Sequence, residues 1–460
     1  MPFNTPLYRI ELKQVLTIAW PLLIAQLTQI GMGVADTIMA GQYSALDMAS
    51  VAVGFSVMSP ILFFIQGIAL GLVPIVSGLL GRRSERLVAS QAQHMLLILL
   101  CISVLFINVY WFIDSILLWF DVPANMQPIT RDYIVYMLFA LPGFAIYQAV
   151  RQTCEGLSIT SPTMVIMFIG LLVNIPANAV FIYGWFGLPQ MGGAGCGLAT
   201  MLVYIVMAIA TIIYTIYAKH MQQFSLFTQL IRFEWRTTGE LLTIGMPIAL
   251  TFLTEVTLFA AVAILLSPFG HLQVAAHQIA INFSSVVFML PLSISMAVAI
   301  RVSYLMGQGK RQDTIITIRA ARWFAIICAC VTASLTVYFA HYIISIYTVD
   351  YAVTEYALPI LFLAALFQIS DAVQVISANA LRGYKDTTWM LGMCIISYWF
   401  LGLPLGVVLG LTDYWVPAME AQGLWIGIII GLSVAALLLH FRMKYFQRSL
   451  KVGYQLKVKN

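Results

Sequence analysis

Residues 247–285 read PIALTFLTEVTLFAAVAILLSPFGHLQVAAHQIAINFSS, and the first half of this stretch is apolar enough to cross a bilayer. Glu255 lies well inside that apolar run. An acid at the centre of a membrane helix costs about 2.5–3.5 kcal/mol on insertion scales. A sequence that keeps such a group usually uses it for an ion, a proton or a substrate. The stretch therefore predicts a membrane helix that carries a functional carboxylate.

The composition is that of an integral membrane protein. The chain has 460 residues, of which 61% are hydrophobic and 9% are charged, whereas soluble domains have about 25% charged residues. Apolar runs of helix-spanning length recur along the whole chain. A membrane β-barrel would instead need short alternating segments, and runs such as LLILLCISVLFINVYWFI at residues 96–113 do not alternate. The predicted fold class is all-α integral membrane.

The apolar runs define twelve membrane segments. The predicted segments are 14–40, 49–79, 91–118, 131–152, 162–186, 194–218, 240–267, 273–306, 317–347, 353–380, 389–411 and 421–446. If the N-terminus is cytoplasmic, every Lys and Arg except Arg131 falls on the cytoplasmic side. This is a strong positive-inside pattern. It predicts an even number of segments with both termini in the cytoplasm.

The two halves of the chain repeat one another almost without gaps. When the second half is aligned on the first, Pro247 falls on Pro21 and Pro404 falls on Pro176. Such self-similarity at a nearly constant spacing is the mark of a duplicated structural unit. Six segments in each half return the chain to its starting side, so the two copies share one orientation.

The repeat predicts two six-helix lobes related by a pseudo-twofold axis along the membrane normal. We expect an N-lobe over residues 1–218, a cytoplasmic linker over 219–239 that lies along the inner surface, and a C-lobe over 240–460 with a basic tail. Parallel-repeat transporters place their substrate site near mid-membrane between such lobes.

Three acids lie deep within the predicted segments: Asp36, Glu255 and Asp371. Their counterparts in the other half are Val262, Gln29 and Phe144. The scaffold is therefore duplicated but the acids are not, so packing alone does not require a charge at these depths. This asymmetry favours a functional role for all three acids.

Two of these acids, Glu255 and Asp371, belong to the same half. If they converge, two carboxylates with nearby hydroxyls and carbonyls form an oxygen-rich site for a hard cation such as Na⁺. They could equally share protons, because two close carboxylates in low-dielectric surroundings do not both stay ionised. The candidate neutral ligands are Thr254, Ser370, Gln278, Asn282 and Ser284. The sequence leaves Na⁺ and H⁺ as alternatives.

Other polar residues within the apolar segments have a less specific meaning. Asn174 and Asn178 lie one helical turn apart around Pro176, which favours a cavity-lining role over a hydrogen-bonded helix kink. His277 is a lone histidine on an apolar face, and such a residue is more often part of hydrogen-bonded structure than a switch. Arg301 is expected to extend its guanidinium to the inner surface rather than pair with an acid.

Several long motifs carry a resemblance to a known family. They are MGVADTIMAG at 32–41, MFIGLLVNIPANAVFIYG at 167–184, FLTEVTLFAAVAILLSPFG at 252–270 and DAVQVISANALRGYKDT at 371–387. Over residues 10–446 the chain resembles the multidrug and toxic compound extrusion (MATE) family, in its NorM-like bacterial branch.

The resemblance implies a twelve-helix, two-lobe antiporter of the bacterial inner membrane. Such a protein exports organic cations and fluoroquinolone-like drugs in exchange for Na⁺ or H⁺, and it needs no cofactor beyond this coupling ion. The resemblance also implies that Asp36, Glu255 and Asp371 are the functional carboxylates, with the last two at the cation site.

One position departs from the family pattern. Related sequences tend to have a tyrosine one turn before the aspartate that corresponds to Asp371, in the pattern Y-Q-x-x-D. This chain instead has FQISD at residues 367–371. A tyrosine hydroxyl is therefore unavailable as a cation ligand, and the ring face of Phe367 or a water molecule would have to take its place.

We expect the partners to be cationic, aromatic small-molecule drugs, a monovalent cation and the lipid bilayer, with no nucleic acid and a monomeric carrier. The alternative is a lipid or oligosaccharide flippase on a related scaffold, but that class is expected to place several basic residues deep in its cavity. An intramembrane enzyme would need a nucleophile with a base or a metal-binding motif, and the sequence shows neither. A passive channel would not explain acids on one side of a duplicated scaffold.

Overall fold

A computed structural model describes residues 6–224, 226–227, 232–348, 350–414 and 417–458. Within these ranges the chain is almost entirely helical and contains no β-strand. Among the described residues, twelve helices are long and apolar enough to span a membrane. We name them α1 (Pro6–Tyr43), α2 (Ala45–Gly81), α3 (Glu85–Trp119), α4 (Gln127–Gly156), α5 (Ser161–Tyr183), α6 (Gly193–Tyr217), α7 (Trp235–Leu266), α8 (Leu272–Gly307), α9 (Arg311–Tyr338), α10 (Tyr351–Gly383), α11 (Thr387–Leu411) and α12 (Glu420–Ser449). The predicted all-α class with twelve membrane segments is confirmed.

The ninth predicted segment, 317–347, extends too far at its C-terminal end. The helix α9 stops at Tyr338, and a separate short helix, Ala340–Tyr347, follows Phe339. The first predicted segment, 14–40, begins too late, because α1 already starts at Pro6. This earlier start places Glu11 inside the helix.

One membrane helix changes its winding along its length. The helix α11 consists of an α-helical part, Thr387–Ile395, a π-helical part, Ile396–Gly402, and a second α-helical part, Leu403–Leu411. Pro404 has no backbone N–H, so it interrupts the regular hydrogen-bond ladder at this point. Short π-helical insertions of this kind are frequent at functional sites.

The contacts group the chain into two compact units, residues 24–249 and residues 1–23 with 250–460. The chain passes from one unit to the other within α1, two residues after Pro21, and within α7, two residues after Pro247. The predicted lobes, 1–218 and 240–460, were drawn from the sequence repeat and remain a prediction. Part of the predicted linker, residues 225 and 228–231, lies outside the described residues.

The unit formed by residues 24–249 is built around α4, which packs against α2, α3 and α6. The first part of α7 lies against α2 at two glycines: a Cβ atom at Gly71 would lie 2.7 Å from the Cα atom of Gly245. Small residues allow membrane helices to approach this closely. The described part of the linker is held on α3, where Gln93 donates to the carbonyl of Leu226 at 2.8 Å.

The other unit is built around α10, which packs against α8, α9 and α12. The beginning of α1 joins this unit through a buried ion pair. Arg301 of α8 donates from Nε and Nη2 to both carboxylate oxygens of Glu11, at 2.8 and 2.7 Å. Arg301 therefore pairs with an acid, and the expectation that it would not is wrong. The acid that pairs with it lay outside the predicted first segment.

Candidate functional site

Asp36 lies at the centre of a hydrogen-bonded cluster within the unit of residues 24–249. Its Oδ1 accepts hydrogen bonds from the side-chain amides of Asn174 at 2.9 Å and Asn178 at 2.5 Å. The hydroxyl of Thr200 on α6 approaches Oδ2 at 3.4 Å. The Cys196 thiol points to the backbone carbonyl of Asp36 at 3.7 Å. Three helices, α1, α5 and α6, thus position a single carboxylate.

The two asparagines bond Asp36 and also each other, since the side-chain amide of Asn178 donates to Oδ1 of Asn174 at 3.3 Å. Both are buried on α5, and they lie one turn apart on either side of Pro176. Because the spacing of four residues places both amides on one face of the helix, they can donate to the same oxygen. The cavity-lining role of these two side chains remains a prediction.

One oxygen atom of the cluster is available to coordinate a cation. The side-chain carbonyl oxygen of Asn178, Oδ1, is buried and has no hydrogen-bond partner among the described residues. A buried acceptor left in this state costs about 1–3 kcal/mol. This oxygen, Oδ2 of Asp36 and the Thr200 hydroxyl are oxygen atoms of the kind that coordinate a hard monovalent cation. The carboxylate can instead take up a proton.

The repeat shows that this cluster exists in only one half. The positions matched to its residues are Val262 for Asp36, Gly402 for Asn174, Gly406 for Asn178 and Ile428 for Thr200. In the second half the glycines serve close packing of α11 on α12: a Cβ atom at Gly402 would lie 3.1 Å from Gly431. A polar site in one copy is therefore replaced by a helix contact in the other.

Glu255 and Asp371 form an acidic pair within the other unit. Asp371 is buried, with 4% of its surface exposed, and Glu255 is half-buried. The two carboxylates are close enough to act on each other electrostatically. Within the described residues no basic side chain forms an ion pair with either acid. The two acids thus act on each other without a counter-ion from the part of the chain that the structure describes.

Aromatic rings lie one helical turn away from this pair. Phe259 lies one turn after Glu255 on α7. Its ring packs edge to face on the ring of Phe367, with centroids 6.5 Å apart. Phe367 also meets Trp425 of α12 edge to face at 5.9 Å. The ring of Phe367 therefore occupies a packed aromatic position next to the acids.

A tyrosine from the π-helical part of α11 completes the surroundings of the pair. Tyr398 is buried and acts electrostatically with both Glu255 and Asp371. Its hydroxyl oxygen accepts a 2.9 Å hydrogen bond from Gln374, one turn beyond Asp371 on α10. An oxygen-bearing side chain thus stands near the acids although position 367 has none.

The structure gives the predicted neutral ligands different surroundings. The Thr254 hydroxyl donates to the Leu250 carbonyl of the same helix at 2.8 Å. The backbone carbonyl of Thr254 accepts a 3.2 Å hydrogen bond from the indole of Trp399. Ser370 bonds Ser433 of α12 at 3.0 Å.

The remaining three candidates lie on α8. Gln278 donates to Asn282 at 3.1 Å, and both side chains are exposed. The hydroxyl of Ser284 is buried and has no partner among the described residues. As ligands of a cation bound to Glu255 and Asp371, these residues remain predictions.

His277 is part of hydrogen-bonded structure, as expected. It is fully buried, and its Nδ1 accepts a 3.1 Å hydrogen bond from the indole of Trp425. This bond fixes the ring that packs on Phe367.

Thr200, Gln374, Tyr398 and Trp425 were not singled out from the sequence. A threonine or a tyrosine inside an apolar segment is too common to mark a site. A partial signal lay in the repeat, since Tyr398 comes shortly before Pro404, the match of the proline between the two asparagines. Within the described residues there is no group of three or more His, Cys, Asp or Glu side chains that could hold a metal ion.

The sequence profile of the MatE family matches this chain twice, over residues 21–180 and 247–408. The two matches begin at Pro21 and Pro247, the same pair of prolines that the internal repeat aligns. The profile therefore agrees with the duplication deduced from the sequence.

Named relatives match along nearly the whole chain. A "Probable multidrug resistance protein NorM" from Idiomarina loihiensis is 43% identical over 442 residues, with 95% of each chain covered. A "Multidrug resistance protein MdtK" from Yersinia enterocolitica is 45% identical over 445 residues, with 96% of this chain and 97% of the relative covered.

Solved structures share the fold at low sequence identity. The eukaryotic MATE transporter AtDTX14 superposes with a TM-score of 0.86 at 19% identity and covers 96% of this chain and 99% of its own. A MATE protein in complex with MaD3S gives a TM-score of 0.88 at 17% identity and covers 96% of this chain and 97% of its own. The predicted resemblance is confirmed by the double profile match and by these relatives, and the chain belongs to the MatE family.

Proposed function

We propose that this protein is a cation-coupled multidrug efflux antiporter that works by alternating access. The observation that carries the proposal is the pair of Glu255 and Asp371, two carboxylates within the membrane-spanning part that interact with each other and have no described basic partner. Unpaired acids at such positions mark ion pathways and proton relays. The coupling ion is Na⁺ or H⁺, and it acts as a transported substrate.

The acid pair supplies the coupling. A cation or proton bound between Glu255 and Asp371 relieves the repulsion between their charges. It thereby changes the packing of α7, α8 and α10 around the aromatic rings next to the pair and weakens drug affinity. Thermodynamic linkage requires the reverse effect as well, so drug binding favours release of the cation.

Asp36 is a second coupling carboxylate in this proposal. The side-chain carbonyl oxygen of Asn178, which has no partner among the described residues, and Oδ2 of Asp36, which Thr200 approaches only at 3.4 Å, support a role in holding a cation or proton. The side-chain amides of Asn174 and Asn178 keep the carboxylate oriented while the ion enters and leaves.

The names of the relatives support multidrug export. We propose organic cations and fluoroquinolone-like drugs as the exported compounds, bound by aromatic stacking and cation–π contacts. The carrier is proposed to act as a monomer in the bacterial inner membrane, with both termini in the cytoplasm. The flippase alternative is less well supported, since the buried cations Arg151 and Arg301 are neutralised by Glu155 and Glu11.

The test is drug efflux from proteoliposomes in which a Na⁺ gradient and a pH gradient are imposed separately. We expect efflux of an organic cation with at least one of the two gradients and its loss in Glu255→Gln and in Asp371→Asn. The first substitution copies Gln29, the residue at the matched position of the other half. Wild-type efflux from both variants at equal amounts of inserted protein would refute the coupling role of the acids.

A further inference from the structure

Arg322 of α9 has no anionic partner among the described residues. Its Nη1 donates to Nδ1 of His440 at 2.7 Å, and its Nη2 lies 3.5 Å from the thioether sulfur of Met443. Its Nε is buried and has no hydrogen-bond partner within the described part of the chain. Neither a histidine nor a thioether neutralises a guanidinium, so the charge of Arg322 is left uncompensated by these neighbours.

Two further cations stand beside it. Arg319 lies one turn before Arg322 on α9, and Lys444 lies one turn after His440 on α12. Both are exposed, and the charge of Arg319 acts on Arg322 while the charge of Lys444 acts on His440, two residues that are themselves half-buried. The nearby carboxylate of Asp386 does not compensate them, because it accepts 2.7 and 3.3 Å hydrogen bonds from Arg442.

The hydrogen bond to Arg322 also determines the state of His440. An arginine has only donors, so Nδ1 of His440 must be the acceptor. The ring proton is then on Nε2, which is left as a further donor. The cluster of Arg319, Arg322, His440 and Lys444, which we call the basic cluster, therefore presents donors and positive charge on one side.

The basic cluster borders two exposed apolar surfaces. The residues directly after Arg322 and His440 belong to apolar stripes at helical spacing. The stripe on α9 consists of Trp323, Ile327 and Val331, and the stripe on α12 consists of Leu437, Phe441 and Tyr445. Both helices pack on α10, and the Arg322 side chain bridges from one to the other. Apolar stripes beside uncompensated cations match the two parts of a phospholipid.

We propose that the basic cluster binds the phosphate of an anionic phospholipid, with the acyl chains lying along the stripes of α9 and α12. Cationic side chains bind phosphate through charge-assisted hydrogen bonds. The exposed Arg319 and Lys444 supply such donors, and Arg322 adds the positive charge that His440 and Met443 do not compensate. The cluster lies on the side that the charge pattern assigns to the cytoplasm, whose leaflet is rich in anionic lipid. The site is independent of the acids proposed to couple transport.

The test uses the full-length protein purified in a neutral detergent. It is titrated with phosphatidylglycerol, with phosphatidylcholine and with inorganic phosphate, and bound lipid is counted by native mass spectrometry. We expect tight retention of phosphatidylglycerol alone. Since one basic residue near a membrane surface changes lipid affinity by about fivefold, we expect Arg322→Gln to weaken this binding about fivefold or more.

The matched control is Arg86→Gln, which removes one exposed cation from the same predicted side in the other unit. We expect it to leave phosphatidylglycerol binding within about twofold of the wild type, since Arg86 does not belong to the basic cluster and solvent screens an exposed charge. If Arg322→Gln does not fold, Arg319→Gln with Lys444→Gln tests the site through two exposed side chains. Equal retention of phosphatidylcholine, an equal loss in Arg86→Gln, or equally tight binding of inorganic phosphate would overturn the proposal.

Discussion

The side-chain amide of Asn178 donates a 2.5 Å hydrogen bond to Oδ1 of Asp36. Thr200 approaches the other oxygen of the same carboxylate at 3.4 Å. A short bond to a carboxylate is stronger than a long one, so the two residues should differ in their importance. The distances therefore rank the contributions of the side chains that hold Asp36.

We expect Asn178→Ala to impair efflux more than Thr200→Val. A hydrogen bond to a charged group contributes about 1.5–3 kcal/mol, which corresponds to about a 10- to 100-fold loss for Asn178→Ala. Thr200→Val should stay within about fivefold of the wild type, because its bond is long. The measurement is the initial efflux rate at equal amounts of inserted protein.

Asn108→Ala is the matched control for this ranking. Asn108 is an exposed asparagine that bonds only the backbone of its own helix in the described contacts, at 2.9 Å to the Val104 carbonyl. Its removal should leave efflux unchanged. A greater loss in Thr200→Val than in Asn178→Ala would contradict the ranking.

We expect Glu255→Gln and Asp371→Asn to be non-additive. The two carboxylates act on each other, and residues that act as one unit give coupled mutational effects. Each single variant should lose efflux by about 100-fold or more, and the double variant should be no worse than the poorer single one. A double-mutant cycle on initial efflux rates measures this coupling.

Glu355→Gln provides the control, since it neutralises an exposed carboxylate on the same helix as Asp371. We expect wild-type efflux from it. Losses that simply multiply in the double variant would mean that Glu255 and Asp371 work independently.

The sequence predicted the twelve helices because each apolar run is long enough to span a bilayer. It also placed Glu255 and Asp371 in the same half and left their convergence as a condition of the cation site. It could not supply Thr200 or Tyr398. These side chains become part of a site only through the relative rotation of neighbouring helices, which residue spacing within one helix does not determine.

The pairing of Arg301 with Glu11 was missed for a related reason. The two residues are 290 positions apart, and the contact depends on where the start of α1 packs. Positive-inside reasoning treats each basic residue by its distance from the membrane surface. It contains no information on which acid from another helix lies beside it.

We expect Glu11→Gln to destabilise the protein strongly. The pair is largely buried, with side-chain exposures of 16% for Arg301 and 3% for Glu11. Removing one partner of a buried pair leaves an uncompensated charge and costs about 3–5 kcal/mol. The hydroxyl of Thr317, which bonds Glu11 at 2.9 Å, would lose its charged acceptor as well. Thermal unfolding in detergent measures the loss.

The double variant Glu11→Leu with Arg301→Met should recover much of that stability, because an apolar pair can replace a buried ion pair. The control is Asp114→Asn, which breaks the exposed pair with Arg131, whose side-chain exposures are 71% and 40%. An exposed pair contributes about 1 kcal/mol at most. A loss in Glu11→Gln no larger than that of Asp114→Asn would contradict the buried role of Glu11.

Phe367→Tyr restores the hydroxyl that related sequences tend to carry one turn before Asp371. The ring of Phe367 packs edge to face on Phe259 and Trp425, and a single added oxygen leaves this packing in place. If the hydroxyl reaches the bound cation, one additional bond contributes about 1 kcal/mol. We then expect the Na⁺ concentration for half-maximal efflux to fall about fivefold.

Phe259→Tyr is the matched control, because it adds the same oxygen to the facing ring on α7. It should change the Na⁺ requirement little, since its ring is not placed one turn before an acid on α10. The two variants are compared in proteoliposomes at constant pH with the Na⁺ gradient varied. An equal shift in both would attribute the effect to general polarity around the rings. No shift in Phe367→Tyr would mean that the missing hydroxyl at this position does not limit Na⁺ binding.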